Sequence, residues 1–245
     1  MGLTIPEEYG GLGLGYTVYA RILAVLSPAC ASTSTLMGAH QGIGLKAILL
    51  RGTEEQKRHW LPRLATGEIL AAFALTEPGA GSDAKAIRTT ADPADGGGWI
   101  LNGEKLWITN GGRAGMFTVF ANTPVPGDED GKRRMSCFLV ERGSDGLTVG
   151  AEEDKMGLKA SSTTPLHFKD VFVPDDCVVG EIGQGFSLAL EILNTGRQTL
   201  GAGCAGGCRA LTNLSTAYAA ERKQFGRPIG EFEMIEDLLA DMAAD

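Results

Sequence analysis

FALTEPGAGSD at residues 73–83 and WILNGEKLWITNGG at residues 99–112 decide how the rest of the chain is read. Phe73 to Thr76 is a short apolar run that stops at Glu77-Pro78-Gly79. Proline fixes φ and lacks an N–H, so this run cannot continue as a central strand. Gly79 and Gly81 let the backbone turn tightly and approach a ligand with no Cβ in the way. Farther on, Asn102-Gly103 separates two apolar runs, the strongest short signal for a β-hairpin. Two strands meeting a glycine loop, with Trp107 and hydroxyls at their ends, suit a large flat aromatic cofactor. An ordinary surface turn beside a core tryptophan fits the same letters, because glycine-rich turns are common.

Upstream of this stretch the chain reads as helix. From Tyr16 to about Leu50 the apolar residues fall at helical spacing with few charges, which predicts helices buried against neighbours. Thr53-Glu54-Glu55-Gln56 fits a capping box, so a helix is expected from there to the Leu64–Gly67 region. From Ala71 to about Gly180 come short β-type runs: FALT, WILN, KLWIT, FTVFAN, MSCFLVE, LTVG, PLHF and VFV. ADPADGGG, NTPVPGDEDGKRR and ERGSDG separate them as turns, with no helical pattern between. That predicts an antiparallel barrel or sandwich. After Gly185 the helical pattern returns, Phe225-Gly226-Arg227-Pro228 breaks it, and Glu231 to Asp245 begins another amphipathic helix. The expected fold is α+β in three parts: helical over 1–70, β over 71–180, helical over 181–245.

At 245 residues the chain has enough interior for a real core, and 43% hydrophobic with 21% charged residues is ordinary for a globular protein. A net charge of −8 argues against a nucleic-acid binder, which needs a basic face. Cys30, Cys137, Cys177, Cys204 and Cys208 form no CxxC pair and read as reduced thiols. No apolar run approaches the roughly 20 residues of a membrane span, and no metal-ligand cluster stands out. Gly201-Ala202-Gly203-Cys204-Ala205-Gly206 satisfies GxGxxG, and Glu221 lies where a ribose-binding acid belongs. The motif counts only after a strand, and FSLALEIL before it is helical. These small residues are read as close helix–helix packing rather than a dinucleotide site.

The motif train IPEEYGGLGL, GTEEQKRHWLPRLATGE, LTEPGAGSDA, LNGEKLWITNGG, KMGLKAS, VFVP, GEIGQGF, LNTGR and ERKQFGRPIGEF resembles the acyl-CoA dehydrogenases over nearly the whole chain. LTEP, LNTGR and KMGLKAS lean toward the very-long-chain subgroup. The resemblance implies a flavoenzyme oxidising a fatty acyl-CoA to its trans-2-enoyl product in β-oxidation and passing electrons to an electron-transfer flavoprotein. It implies FAD as cofactor and a homodimer or homotetramer. The expected location is cytoplasmic if the source is bacterial and the mitochondrial matrix if it is eukaryotic; no nucleic-acid partner is expected, and membrane association is not indicated in this segment. The same fold also serves flavin oxidases and monooxygenases, and non-catalytic assembly proteins.

Carried onto this sequence, the flavin contacts are Phe73, Leu75, Thr76, Gly81, Ser82, Trp107, Ile108 and Thr109. Arg222, Lys223, Gln224 and Phe225 match a segment that reaches the neighbouring subunit's FAD. Two cations beside a glycine suit a pyrophosphate, although a solvated helix end favours the same residues. Ser82, Asn194 and Arg197 match positions lining the acyl-CoA channel. Two departures stand out. Glu233 occupies a position that is Gln in relatives, and a carboxylate there would repel a pyrophosphate. Gly196 occupies the position of the catalytic glutamate in the isovaleryl and long-chain branches, and in the other branches the base lies much later, beyond Asp245. The chain is therefore expected to be a fragment, inactive by itself.

Overall fold

The computed structural model describes residues 1–125 and 131–244. The expected turn at NTPVPGDEDGKRR lies partly outside these, as does Asp245. Helices α1 (Tyr16–Ala29), α2 (Ala31–Met37), α3 (Lys46–Arg51) and α4 (Glu54–Thr66) form the first layer, with a π-helical segment Gly38–Gly44 between α2 and α3. The expected capping box starts α4: Thr53 Oγ1 accepts from Gln56 N at 3.2 Å, and Gln56 Oε1 accepts from Thr53 N at 3.0 Å. Gly67 closes α4 in the left-handed region at φ 81°.

The sheet that follows contains β1 (Ala71–Ala74), β2 (Thr90–Pro93), β3 (Trp99–Thr109), β4 (Met116–Pro124), β5 (Arg133–Glu141), β6 (Leu147–Val149) and β7 (Thr163–Val173). It runs β1-β4-β2-β3-β7-β6, and β5 pairs with the other edge of β4. Two features differ from an all-antiparallel barrel. The sheet does not close, and β1 and β2 run parallel to β4. The parallel start has a local cause. Gly115 N and Met116 N both donate to Leu70 O, at 2.9 and 3.2 Å, so β1 and β4 leave from the same point in the same direction.

The expected hairpin at Asn102-Gly103 is absent. WILN and KLWIT belong to one 11-residue strand, β3, paired with β7 along its length. Gly103, at φ 144°, marks a shift in register instead of a turn. A Cβ there would lie 2.6 Å from Thr89 Oγ1, so glycine also permits close approach to the neighbouring chain. PLHF and VFV likewise merge into β7, with Asp170 in the left-handed region at φ 52° between them.

β4 is buried on both faces. Met116 and Phe120 face the helices with Leu45, Ile48, Leu61, Leu64, Leu188 and Ile192, while Phe117 and Val119 join a second core with Leu101, Ile108, Phe138 and Leu166. Helix α5 (Gly185–Glu221) lies along α1. The GxGxxG residues fall inside α5, where a Cβ on Gly206 would stand 1.9 Å from Ala24 O. That is close helix packing, as read. A short hairpin of β8 (Lys223–Gln224) and β9 (Arg227–Pro228) leads to α6 (Glu233–Ala244), none of whose described residues is buried. No helix among the described residues is long and apolar enough to cross a membrane.

Candidate functional site

The site is built where β1 and β3 end side by side. Leu106 N donates to Thr76 O at 2.9 Å, which brings Leu75 and Thr76 beside Trp107, Ile108 and Thr109. Between Lys105 and Ile108 the register with β7 shifts again, and Trp107 adopts φ 56°. Trp107 is 61% exposed and Ile108 is buried, so the tryptophan is not a core residue. Thr109 is half-buried, and two cavities meet at it. One, of about 450 Å³, is a shelf bordered by Trp107, Thr35, Leu158, Ser161 and Thr163. The other, of about 490 Å³, is mostly apolar and runs between α1, α2 and α5, past Leu23, Ala31, Leu193, Gly196, Leu200 and Gly207.

The base of the site is held by a buried ion pair that the sequence reading assigned no role. Lys105 Nζ meets Glu77 Oε1 at 2.7 Å, with Lys105 fully buried and Glu77 nearly so. Lys105 also donates to Leu75 O at 3.2 Å. Glu77 accepts from Arg88 N at 2.5 Å, Thr89 N at 3.0 Å and Thr89 Oγ1 at 2.6 Å. Burial pulls the Lys105 ammonium down to about 8, against the pull of Glu77. Burial pushes the Glu77 carboxyl up, yet Lys105 and the other donors outweigh it and leave it below the usual range. Both are charged at neutral pH. The available signal was a lysine at an inward strand position.

The turn after Thr109 is tied as firmly. Asn110, at φ 67°, donates to Leu36 O at 3.1 Å and Ala71 O at 3.3 Å, linking α2, β1 and β3. Arg142 donates to Gly111 O and to Ala114 O. Ser162 Oγ accepts from Gly112 N at 2.8 Å and donates to Glu152. At the shelf, Lys155 donates to Ser161 O and to Thr163 Oγ1. Ser161 Oγ is buried without a protein partner. His40 joins the layers beneath: Ala71 N donates to its Nδ1 at 2.9 Å, so Nε2 carries the proton given to Leu64 O at 3.0 Å.

Of the other candidate residues, Phe73 is half-buried and packs on Phe120 with ring centroids 5.0 Å apart. Gly81 and Ser82 lie exposed on the loop after β1, and a Cβ on Gly81 would meet nothing within 4 Å. Gly196 and Arg197 line the apolar cavity, and Arg197 donates to Asn194 Oδ1 at 2.8 Å. The structure does not bring Arg222, Lys223, Gln224 and Phe225 to this shelf. They follow Glu221, the last residue of α5, 25 residues past Gly196 and roughly 38 Å along the axis at the usual helical rise. Phe225 (φ 51°) and Gly226 (φ 82°) form the tip of the β8–β9 hairpin, and Phe225 is 95% exposed.

Sequence models of the acyl-CoA dehydrogenase N-terminal, middle and C-terminal domains match residues 1–68, 72–171 and 183–245. The chain belongs to the acyl-CoA dehydrogenase family. It is similar to the mitochondrial very long-chain specific acyl-CoA dehydrogenase of Macaca fascicularis, 49% identical over 244 residues. That match covers 98% of this chain but 37% of the relative, so the chain spans little more than a third of it. The crystal structure of an acyl-CoA dehydrogenase complexed with FAD from Bacillus anthracis superimposes with a TM-score of 0.92 at 47% identity, covering 99% of this chain and 40% of that one. A chain in the electron transferring flavoprotein structure of Acidaminococcus fermentans superimposes equally well, at 0.92 and 40% identity, covering 99% and 63%.

Proposed function

We propose that this acyl-CoA dehydrogenase chain binds FAD on the Trp107–Thr109 shelf and a fatty acyl chain in the apolar cavity. The whole enzyme then oxidises the acyl-CoA to its trans-2-enoyl product and passes electrons to an electron-transfer flavoprotein. One observation carries the reading: Thr109 borders both the Trp107 shelf and the apolar cavity. A flat ring on one side and an aliphatic chain on the other meet there. The residues present fit FAD. The shelf offers an exposed indole, the Thr109 hydroxyl and the unpartnered Ser161 Oγ, donors and surface suited to a ring with heteroatoms.

Bound there, FAD supplies the acceptor for the β-hydride, which no side chain can take. Trp107 would offer its indole to the ring, and Leu75, Thr76, Ile108 and Thr109 would bond it through backbone groups and hydroxyls. Phe73 anchors β1 by packing on Phe120 of β4, while Gly81 and Ser82 leave the adjoining loop open to ligand. Asn194 and Arg197 stand at the channel, with Arg197 able to hold a carbonyl or phosphate oxygen of CoA. Apolar walls at Leu23 and Leu193 keep water from the chain. None of the described residues lining this cavity is a carboxylate, and Glu191 is engaged with Arg51 at 2.8 Å. The α-proton acceptor is therefore not among them.

Arg222 to Phe225 serve the flavin of a second copy in a homodimer or homotetramer, because α5 carries them too far to reach their own. The domains are taken as 1–70, 71–180 and 181–245. The test is anaerobic titration of the purified flavin-loaded protein with acyl-CoA esters of increasing length. Binding beside the ring is expected to perturb the flavin absorption band. Protein that stays colourless and takes up no FAD refutes the reading in favour of an assembly role.

A further inference from the structure

Glu77 and Lys105 form a buried ion pair, and burying one is poor value for stability. Apolar side chains of equal volume often serve as well or better. What distinguishes this pair is where its bonds go. Lys105 belongs to β3, two residues before Trp107, yet its Nζ donates across to Leu75 O on the continuation of β1 at 3.2 Å. Glu77 closes the loop with its main chain, giving N–H to Ala80 O at 3.0 Å and accepting from Ala80 N at 3.1 Å. Its carboxylate meanwhile holds Arg88 N and Thr89 N, where the loop rejoins the sheet. Every segment carrying a proposed ring contact in the β part is thus tied to one pair: Leu75–Thr76, Gly81–Ser82 and Trp107–Thr109. Neither side chain borders the shelf itself, so both act through their neighbours.

Building on the flavin reading above, we propose that Glu77 and Lys105 are positioning residues. They fix the spacing between the ends of β1 and β3 and thereby set the affinity and reduction potential of the bound flavin. A shelf held by fixed charges keeps its hydrogen-bonding groups aimed while the ring changes charge on reduction. The double variant Glu77→Gln/Lys105→Met removes both charges. It keeps one amide oxygen for Thr89 N, leaves Arg88 N without its acceptor, fills the lysine volume, and deletes the bond to Leu75 O.

Its thermal stability without flavin is expected to fall modestly because Arg88 N loses its acceptor, while its FAD dissociation constant rises roughly tenfold or more and its midpoint potential shifts. Lys105→Arg keeps the charge but displaces the donor from Leu75 O, so it is expected to fold, retain FAD and shift the potential in the same sense. A folded double variant with parental affinity and potential overturns the positioning role alone. If the double variant does not fold, a parental potential in Lys105→Arg overturns it. A parent that binds no FAD overturns the flavin reading and this proposal together.

Discussion

Acidification is expected to loosen the layer beneath the Trp107–Thr109 shelf through His40. The imidazole is fully buried, and burial pulls it down to about 4 from an ordinary 6.5. In the folded chain it stays neutral because Nδ1 must accept from Ala71 N while Nε2 gives its proton to Leu64 O. Between pH 6.5 and 4 the unfolded chain binds a proton that the folded chain refuses, so stability rises with pH across this window. The group thus costs nothing above pH 6.5 and roughly 3 kcal/mol below pH 4, about 2 kcal/mol of which is already lost at pH 5. Glu54 and Glu77, held below the usual carboxylate range, contribute stability that fails only at lower pH. Urea unfolding at pH 7.5, 6.0 and 5.0 measures the slope, and His40→Gln serves as the non-titrating control. That variant is expected to lose about 1–3 kcal/mol at pH 7.5 from imperfect replacement of two buried bonds, yet to show a flatter pH dependence. An equal slope in parent and variant refutes the assignment.

Trp107→Ala is expected to raise solvent quenching of the flavin, and Thr109→Ala to shift its potential through loss of a bond worth about 1 kcal/mol. Unchanged spectra and potential would make both ordinary strand residues. The 245-residue chain is expected to show no acyl-CoA-dependent dye reduction. Gly196→Glu, whose Cβ meets Ile43 Cγ2 at 2.8 Å, puts a carboxylate at the cavity and is expected to gain up to a hundredfold to ten-thousandfold over background; full activity in the parent places the base elsewhere in the chain. Gly206→Ala, with its Cβ 1.9 Å from Ala24 O, is expected to lower the melting temperature by the equivalent of about 1–3 kcal/mol. Gly201→Ala, with nothing within 4 Å, is expected to gain up to about 1 kcal/mol, so similar shifts in the two would count against close α1–α5 packing.

The helical layer and the small-residue face of α5 were legible because their signals are local. A capping box needs only Thr53 and Gln56, and helix packing needs only small residues at helical spacing. The sheet was harder, because its decisive contacts join residues far apart in sequence. Asn-Gly makes a hairpin when both residues take positive φ. Here only Gly103 does, at 144°. The Asn102 side chain instead donates to Asp170 Oδ1 at 3.1 Å and accepts from Asp170 N at 2.9 Å, locking β3 to β7 and carrying the chain straight on. Nothing near Asn102 in the sequence announces Asp170. The Glu77–Lys105 pair was hidden for the same reason, its partners lying 28 residues apart.

Trp107 shows how far periodicity alone would mislead. Strand side chains alternate, so the inward set beginning at Trp99 and Leu101 continues by parity through Lys105 to Trp107 and Thr109. Uninterrupted, that alternation would bury Trp107 and leave no shelf. The register shift between Lys105 and Ile108 reverses it: Ile108 takes the core position and Trp107, at φ 56°, turns outward. A one-residue slip moves every later side chain to the opposite face, and here it does so at the residues that match the family's flavin contacts. The glycine loop and the resemblance pointed to Trp107 as a surface for the ring; the alternation pointed the other way. The bulge begins just after Lys105, whose ammonium is anchored to Glu77 and Leu75 O. The strand is thus held fast on the residue before it turns, and the outward tryptophan inherits its placement from a buried charge.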